Sequence, residues 1–257
     1  MDRDANARTR QLAPSFVGAS DKTAAPTLGP VTTGIPGADV PGADVPDRRG
    51  RTGLHLTGLD LRRNPRVRVR EVELLASDWY VLRATTYDYT HPDGTVSTER
   101  RETYDRGDGA TILLYDPDRR TVLLTRQFRY AVYVNDHPDG MLLETAAGLL
   151  DDDAPEDAIR REAAEETGVE VGDVEHVFDV YMSPGSVTER LHFFAAPYSV
   201  RGLDGSRAGL AEEGEDIEVV ELDFDAALAS IGTDVVDAKT VMLLQWAALR
   251  GPFAGSR

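Results

Sequence analysis

The pattern of hydrophobic and polar positions divides the chain near residue 60. Residues 1–60 show no apolar period and repeat the segment Pro-Gly-Ala-Asp-Val at 36–40 and 41–45. A segment of this kind cannot bury enough apolar surface to offset the entropy that ordering removes. We therefore expect a disordered tail over 1–60 that the fold does not need, with a docking arm as the alternative.

Alternating positions after the tail predict a small β unit. Val67 begins an alternation of apolar and charged residues, and two further runs, 80–89 and 95–105, are rich in β-branched and aromatic residues. The segment 91–94, His-Pro-Asp-Gly, separates those two runs and has the composition of a turn. We expect residues 61–106 to form an antiparallel β unit.

The rest of the chain contains apolar runs, which predict strands, and helical periods, which predict helices. Strands are predicted at 110–115, 121–127, 141–146, 177–182, 191–198 and 217–222. Helices are predicted at 155–167, 224–231 and 237–250. Strands interleaved with helices in this way predict an α/β/α sandwich around a mixed sheet over 107–250, with 251–257 as a C-terminal tail.

Composition excludes several classes of partner. The formal net charge of -17 argues against nucleic-acid binding, which needs a basic surface. The chain has no cysteine, so disulfides and thiolate metal sites are excluded. No apolar run approaches the roughly 20 residues that span a bilayer, and none follows the first residues, as a secretory signal would require. We expect a cytoplasmic protein with neither a nucleic-acid nor a membrane partner.

The helix predicted at 155–167 carries an acidic string that indicates a metal site. Glu162, Glu165 and Glu166 are spaced three and four residues apart, so they share one helical face. Hard oxygen ligands of this kind suit Mg²⁺, and Mg²⁺ suits a diphosphate. An ordinary acidic surface helix is the alternative, although only Arg161 is placed to offset the three charges. A second acidic cluster at 212–216 is either a solvated run or a loop that reaches the metal.

The segment from Gly148 to Val169 resembles the Nudix box, which marks hydrolases of nucleoside diphosphates linked to another group. Only twelve residues separate Gly148 from Arg161, one fewer than the usual pattern. The first glutamate of the box therefore has no clear counterpart. The resemblance implies a Nudix α/β/α fold and catalytic roles for the three helix glutamates. It also implies a site for Mg²⁺, which Mn²⁺ can replace, with ligands from Glu162, Glu166, Glu215 and the backbone carbonyl of Ala147.

Further blocks resemble one Nudix subfamily, the GDP-mannose pyrophosphatases. The blocks are residues 102–115, 126–129, 144–153, 181–194, 215–219 and 237–241. The subfamily implies a homodimer that exchanges the N-terminal β unit and shares its active sites. The partner subunit would then supply substrate-binding residues from its β unit, namely Tyr80, Arg100, Arg101 and Glu102. The same chain would supply Arg129, Ala147, Gly148, Leu149, Glu189 and Lys239.

Some of these assignments compete with plainer interpretations. Tyr80 has the pattern of a core strand residue, and an arginine at a strand end, such as Arg129, is often only exposed. Lys239 is one of only two lysines in the chain, in a block that opens the last predicted helix. The general base stays open among Glu215, Glu189 and no side-chain base at all.

The resemblance implies Mg²⁺-dependent hydrolysis of GDP-mannose, or a close nucleotide sugar, to GMP and mannose 1-phosphate. The alternative enzyme is an ADP-ribose pyrophosphatase that gives AMP and ribose 5-phosphate, since its box and chemistry are the same. A third possibility is a Nudix module that binds a nucleotide sugar without cutting it. The three retained box glutamates argue against that possibility.

Overall fold

A computed structural model describes residues 63–78, 80–199, 207–208 and 216–255. The predicted tail at 1–60 and the candidate ligand Glu215 lie outside the described residues, as do residues 256–257 of the predicted C-terminal tail. Across the described residues, no helix combines the length and the apolar character that crossing a membrane requires.

The N-terminal β unit is a three-stranded antiparallel sheet, as predicted. Its strands are β1 (Val67–Ser77), β2 (Val81–Thr90) and β3 (Val96–Asp105), and β2 lies in the centre. The turn between β2 and β3 closes through a hydrogen bond from the His91 amide to the Thr95 carbonyl, at 2.8 Å. A buried ion pair between Arg83 and Asp105, at 2.9 Å, joins β2 to the end of β3.

The remaining strands form one mixed sheet of eight strands. They are β4 (Gly109–Asp116), β5 (Thr121–Phe128), β6 (Met141–Glu144), β7 (Ala146–Leu149), β8 (Glu175–Tyr181), β9 (Arg190–Pro197), β10 (Arg207–Ala208) and β11 (Ile217–Asp223). The main order is β10-β11-β5-β4-β9-β8, with β6 beside β5 and β7 beside β4. Only β4 and β9 pair in parallel among the pairings described, so the predicted mixed sheet is confirmed.

The strand predicted over 141–146 splits in two at Thr145. The Thr145 amide donates a hydrogen bond to the hydroxyl of Thr240, at 2.8 Å, instead of joining the sheet. On either side of this break, β6 pairs with β5 and β7 pairs with β4. The two short strands therefore fill the gap where β4 and β5 diverge, and they bring the segment after Thr145 to the open end of that gap.

Helices cover both faces of the mixed sheet and complete the predicted sandwich. They are α1 (Tyr130–Tyr133), α2 (Pro155–Thr167), α3 (Phe224–Ala229) and α4 (Ala238–Leu249). On one face, Ile159 of α2 packs in a core cluster with Ile112 and Phe194. On the other face, α3 and α4 pack in a second cluster that includes Phe193 and Leu243. The short helix α1 has no buried residues, so no apolar period could have predicted it.

Candidate active site

Helix α2 is positioned so that its acidic face points at β7. Pro155 lies in the first turn of the helix. The acidic side chains of that turn are stabilised by the positive end of the helix dipole. Gly168 ends the helix with a φ of 71°, a left-handed conformation that glycine adopts without steric cost. Buried Ile159 and Ala163 fix the helix on the sheet, and this fixes the rotation of the glutamate face.

Glu166 is the most deeply placed of the three helix glutamates. Only 3% of its surface is exposed, and its Oε2 accepts a hydrogen bond from the Ala147 amide at 3.2 Å. A buried carboxylate is costly unless it is paired or coordinates a cation. The Ala147 amide therefore holds the Glu166 carboxylate against the backbone of β7.

Glu162 lies directly against the backbone of Gly148. A Cβ atom added at Gly148 would lie 2.1 Å from Glu162 Cδ, so only glycine leaves room for this carboxylate. Glu162 and Glu166 thus approach neighbouring residues of β7 from the same helix. This set of carboxylate and backbone oxygens has the chemistry that a hard divalent cation prefers.

Glu165 has a different environment from the other two. Arg161 donates from Nη1 to Glu162 Oε1 at 2.9 Å and to Glu165 Oε2 at 3.2 Å. The side chain of Glu165 is 30% exposed, against 16% for Glu162. Arg161 partly offsets the repulsion among the carboxylates, and it does so from the solvent side of the helix.

A second charged cluster centres on Glu144, at the end of β6, and we call the region between it and the helix glutamates the cleft. Arg129 donates from Nε and Nη2 to the two carboxylate oxygens of Glu144, at 3.1 and 2.8 Å. Lys239 Nζ lies 2.9 Å from Glu144 Oε2 and 3.0 Å from Asp237 Oδ1. We name Arg129, Glu144 and Lys239 the Glu144 cluster.

The Glu144 cluster lies within electrostatic reach of the box glutamates. Burial raises the pKa of Glu144, but Lys239 and Arg129 reverse that effect and lower the pKa to about 2. Burial lowers the pKa of Arg129, and its pairing with Glu144 and the nearby charge of Glu166 reverse this and raise it. Glu144 is therefore ionised, and it holds two cations beside the glutamates of α2.

Glu144 is not among the site residues predicted from the sequence. A signal was present, because the residue is a lone acid directly after the apolar run 141–143. A charged residue that is almost fully buried is rarely unpaired, so that position called for two cationic partners. The partners themselves are distant in the sequence, and only the fold brings Lys239 to the strand end.

Glu189 lies just before β9 and borders the same cleft. Its side chain is 12% exposed, and its Oε1 lies 3.4 Å from Arg106 Nε. A Cβ added at Gly109 would lie 3.5 Å from Glu189 Oε1 and 3.0 Å from the Gly148 carbonyl oxygen. Burial raises the pKa of Glu189, while the charges of Arg106 and Lys239 oppose this rise.

Tyr80 reaches the edge of this cleft within its own chain. Its ring packs edge-on against Tyr104, with the ring centroids 5.5 Å apart. The guanidinium of Arg106 lies over the Tyr80 ring, 5.4 Å from its centroid, and the same arginine contacts Glu189. This places the aromatic residue next to Glu189 through a single intervening side chain.

The other residues assigned to the N-terminal unit are paired inside their own sheet. Arg100 contacts Glu73 at 3.0 Å and Glu102 at 3.3 Å, and Arg101 contacts Glu99 at 2.8 Å. Within one chain these pairs do not bring the run to the helix glutamates. Its contribution to the active site of a partner subunit stays a prediction. Leu149 pairs with Gly109 in the sheet, next to the Gly148 backbone.

An acidic helix packed on a mixed sheet, with Gly148 against the carboxylate of Glu162, is the arrangement expected of a Nudix-type hydrolase. A family model of the NUDIX domain matches residues 105–244. A second model, described as the GDP-mannose pyrophosphatase NudK N-terminal domain, matches residues 66–104. The chain belongs to the Nudix family.

Curated relatives resemble most of the chain. A GDP-mannose pyrophosphatase of Pectobacterium atrosepticum is 55% identical over 185 residues, which cover 72% of this chain and 95% of that protein. The protein of the same name from Klebsiella pneumoniae is 49% identical, covering 74% of this chain and 96% of its own length. The one from Yersinia enterocolitica is 53% identical, covering 70% and 93%. The resemblance inferred from the box and the flanking blocks is thus confirmed.

Proposed function

We propose that the chain hydrolyses GDP-mannose, or a close nucleotide sugar, to GMP and mannose 1-phosphate with the help of Mg²⁺. Membership of the Nudix family makes it a hydrolase of phosphoric anhydrides. The observation that carries the proposal is the convergence of Glu162 and Glu166 on the backbone at 147–148, beside the cations of the Glu144 cluster. Relatives that carry the name GDP-mannose pyrophosphatase support the choice of substrate.

The metal would be held by Glu162, Glu166 and the carbonyl oxygen of Ala147, with Glu215 as a further ligand. Nudix enzymes use divalent cations, and this all-oxygen set suits Mg²⁺ or, in its place, Mn²⁺. When bound, Mg²⁺ would neutralise the charge of the diphosphate and lower the pKa of water. Glu165 would act together with the metal ligands, because it shares Arg161 with Glu162 and so affects the charge of the helix face.

Arg129 and Lys239 are the groups that would meet the phosphates. Both are cations at the wall of the cleft, and Glu144 fixes their direction by bridging them. A chain of net charge -17 repels a diphosphate, so cations fixed in advance are needed to reverse the local field. The Arg129 guanidinium can fork onto a phosphate and stabilise the charge that develops during in-line attack.

Glu189 is the described carboxylate best suited to accept a proton from the attacking water. Its pKa is raised by burial, and this is the shift that a base acting near neutral pH requires. Glu215 stays the alternative base. Gly148 and Leu149 would line the floor of the cleft. Tyr80, which has Arg106 over its ring, would stack on the nucleotide base.

A homodimer would complete the site. Arg100, Arg101 and Glu102 form an exposed charged stripe on β3 whose described pairs stay within the sheet. If subunits exchange their N-terminal units, this stripe reaches the partner's substrate. The cytoplasm as compartment and the absence of nucleic-acid and membrane partners stay predictions from composition.

The test is product identification in ¹⁸O-labelled water. The purified protein is incubated in the presence of Mg²⁺ with each substrate in turn, namely GDP-, ADP- and UDP-sugars and ADP-ribose. The products are identified by mass spectrometry. We expect GMP and mannose 1-phosphate, formed fastest from GDP-mannose, with the label showing which phosphorus was attacked. Fastest turnover of ADP-ribose would transfer the proposal to an ADP-ribose pyrophosphatase. Binding of nucleotide sugars without any product would contradict the enzyme assignment.

A further inference from the structure

A second group of ligating side chains lies outside the cleft, on the edge strands β8 and β9. His176 Nε2 lies 2.6 Å from Asp179 Oδ1, and His192 Nδ1 lies 2.8 Å from the same oxygen. All three ligating atoms lie within 4.8 Å of one another. None of these residues is a box residue or part of the Glu144 cluster.

A β-bulge is what brings the three side chains to one side of the sheet. In a regular strand, residues three apart point to opposite faces, so His176 and Asp179 would be separated by the sheet. The register of β8 against β9 shifts between His176 and Phe178, which inserts one extra residue. The bulge turns His176 to the face of Asp179, and His192 lies directly opposite Asp179 on β9.

The two carboxylate oxygens of Asp179 have different partners. Arg190 donates to Oδ2, whereas both imidazoles contact Oδ1. A ligating carboxylate in proteins is typically held by such an outer hydrogen bond. The side chains of His192 and Asp179 are mostly covered, at 14% and 22% exposed, while His176 is 51% exposed and free to adjust.

The donor set selects a different class of metal from the helix glutamates. Two imidazoles and one carboxylate suit Zn²⁺ and related transition metals, whereas Mg²⁺ prefers oxygen alone. Around a tetrahedral Zn²⁺ the ligating atoms stand roughly 3.3 Å apart, as follows from bond lengths of about 2.0–2.1 Å. The present separations of 2.6 and 2.8 Å would need to widen by about 0.7 and 0.5 Å, and the larger change falls on the exposed His176.

We propose that His176, Asp179 and His192 form a transition-metal site that prefers Zn²⁺. The bound ion would link β8 to β9 next to the loop that carries Glu189. The fourth ligand is water, because three protein donors leave one tetrahedral position open. The loop at 182–189 connects the two strands, so an ion held here fixes both of its ends. The site is separate from the proposed substrate site, and its occupancy does not depend on the substrate assignment.

The experiment is calorimetric titration of the full chain with Zn²⁺ in an excess of Mg²⁺, which keeps the helix glutamates occupied. We expect one equivalent of Zn²⁺ to bind the wild-type protein. His176→Gln and Asp179→Asn should each weaken this binding more than about tenfold, since a lost ligand costs at least as much as a lost outer partner. Zn²⁺ should also raise the melting temperature of the wild-type chain and not that of His176→Gln.

His137 provides the matched control. Its Nδ1 lies 3.2 Å from Asp139 Oδ1, so it offers one imidazole and one carboxylate without a second imidazole. His137→Gln should leave Zn²⁺ binding unchanged. Zn²⁺ binding of equal strength in the wild type, His176→Gln and Asp179→Asn would overturn the proposal, as would no binding in excess Mg²⁺. Binding that survives His176→Gln and disappears in Glu166→Gln would place the ion at the helix glutamates and also overturn it.

Discussion

Two charged clusters border the cleft, and they differ in how many cations accompany their carboxylates. The first cluster is formed by three carboxylates of α2, Glu162, Glu165 and Glu166, and Arg161 donates hydrogen bonds to the first two of them. The Glu144 cluster has a single carboxylate between Arg129 and Lys239, although Asp237 also contacts Lys239. The contacts of the first cluster contain more carboxylates than cations, whereas the second cluster holds two cations beside the same glutamates. A metal ion bound to a diphosphate satisfies both, since the ion meets the glutamates and the phosphates meet the cations.

The largest effect should come from neutralising Glu166. Glu166→Gln keeps the shape of a buried side chain but removes the charge that holds the cation, and we expect kcat to fall by about 10²–10⁴, or 3–5 kcal/mol of barrier. Steady-state hydrolysis of GDP-mannose at saturating Mg²⁺ measures this loss. Glu156→Gln is the control, because Glu156 is an exposed residue of the same helix paired with Arg160. A Glu166→Gln enzyme with a third of wild-type turnover would refute the metal role.

Glu144→Gln tests the opposite cluster through stability. Removing the buried charge leaves Arg129 and Lys239 facing each other without their shared partner, and we expect a loss of about 3 kcal/mol in the free energy of unfolding at pH 7. Urea unfolding measures it. Equal stability of the variant and the wild type would show that Glu144 does not hold the two cations.

The same carboxylate predicts a pH dependence. Its pKa is about 2 in the folded chain against an ordinary value of 4.5, so its contribution is fully present above pH 4.5. That contribution disappears as the pH falls from 4.5 towards 2, because the unfolded chain takes up the proton first. Urea unfolding between pH 7 and pH 3 should therefore show a smaller acid loss for Glu144→Gln than for the wild type. Parallel curves would contradict this assignment.

Glu189 tests whether the cleft contains a base. We expect Glu189→Gln to lower kcat about 10²-fold and to remove the acidic limb of the pH profile of kcat/KM. In the wild type that limb should lie above pH 4.5, the ordinary value for glutamate, since burial raises this pKa. A variant that keeps both turnover and the acidic limb would leave Glu215 as the remaining side-chain candidate.

Gly148 should give the smallest of these effects. A Cβ at this position would overlap Glu162, so Gly148→Ala must displace that carboxylate. We expect the Mg²⁺ concentration for half-maximal activity to rise by about tenfold, equivalent to roughly 1.4 kcal/mol. Gly172→Ala is the control, because a Cβ there meets no atom within 4 Å. An unchanged Mg²⁺ requirement in Gly148→Ala would mean that the position of Glu162 is not critical.

The local features of the fold could be predicted from sequence because they depend on local periods. Spacing alone placed Glu162 and Glu166 on one face, and Pro155 and Gly168 marked the ends of their helix. Thr145 shows the limit of such reasoning. The break there depends on the hydrogen bond that the Thr145 amide donates to the Thr240 hydroxyl, and a residue so distant in the sequence leaves no trace in the apolar run 141–146.

The candidate site also combines residues that the sequence could predict with residues that it could not. The box residues could be predicted from their spacing, whereas the Glu144 cluster joins residues from β6, the end of β5 and the start of α4. Only tertiary packing makes those three neighbours. The histidine site on β8 and β9 depends on a bulge, which shifts His176 by one face and which strand periodicity does not predict.

The most direct test of the opposed clusters is a count of bound Mn²⁺ from the electron paramagnetic resonance signal of the free ion. It needs no substrate, so it isolates the metal claim from the choice of nucleotide sugar. We expect the wild type and Glu156→Gln to remove free Mn²⁺ from solution equally, and Glu166→Gln to remove far less. Equal binding by all three proteins would contradict the proposed metal site, because the buried glutamate of α2 would then not hold the metal.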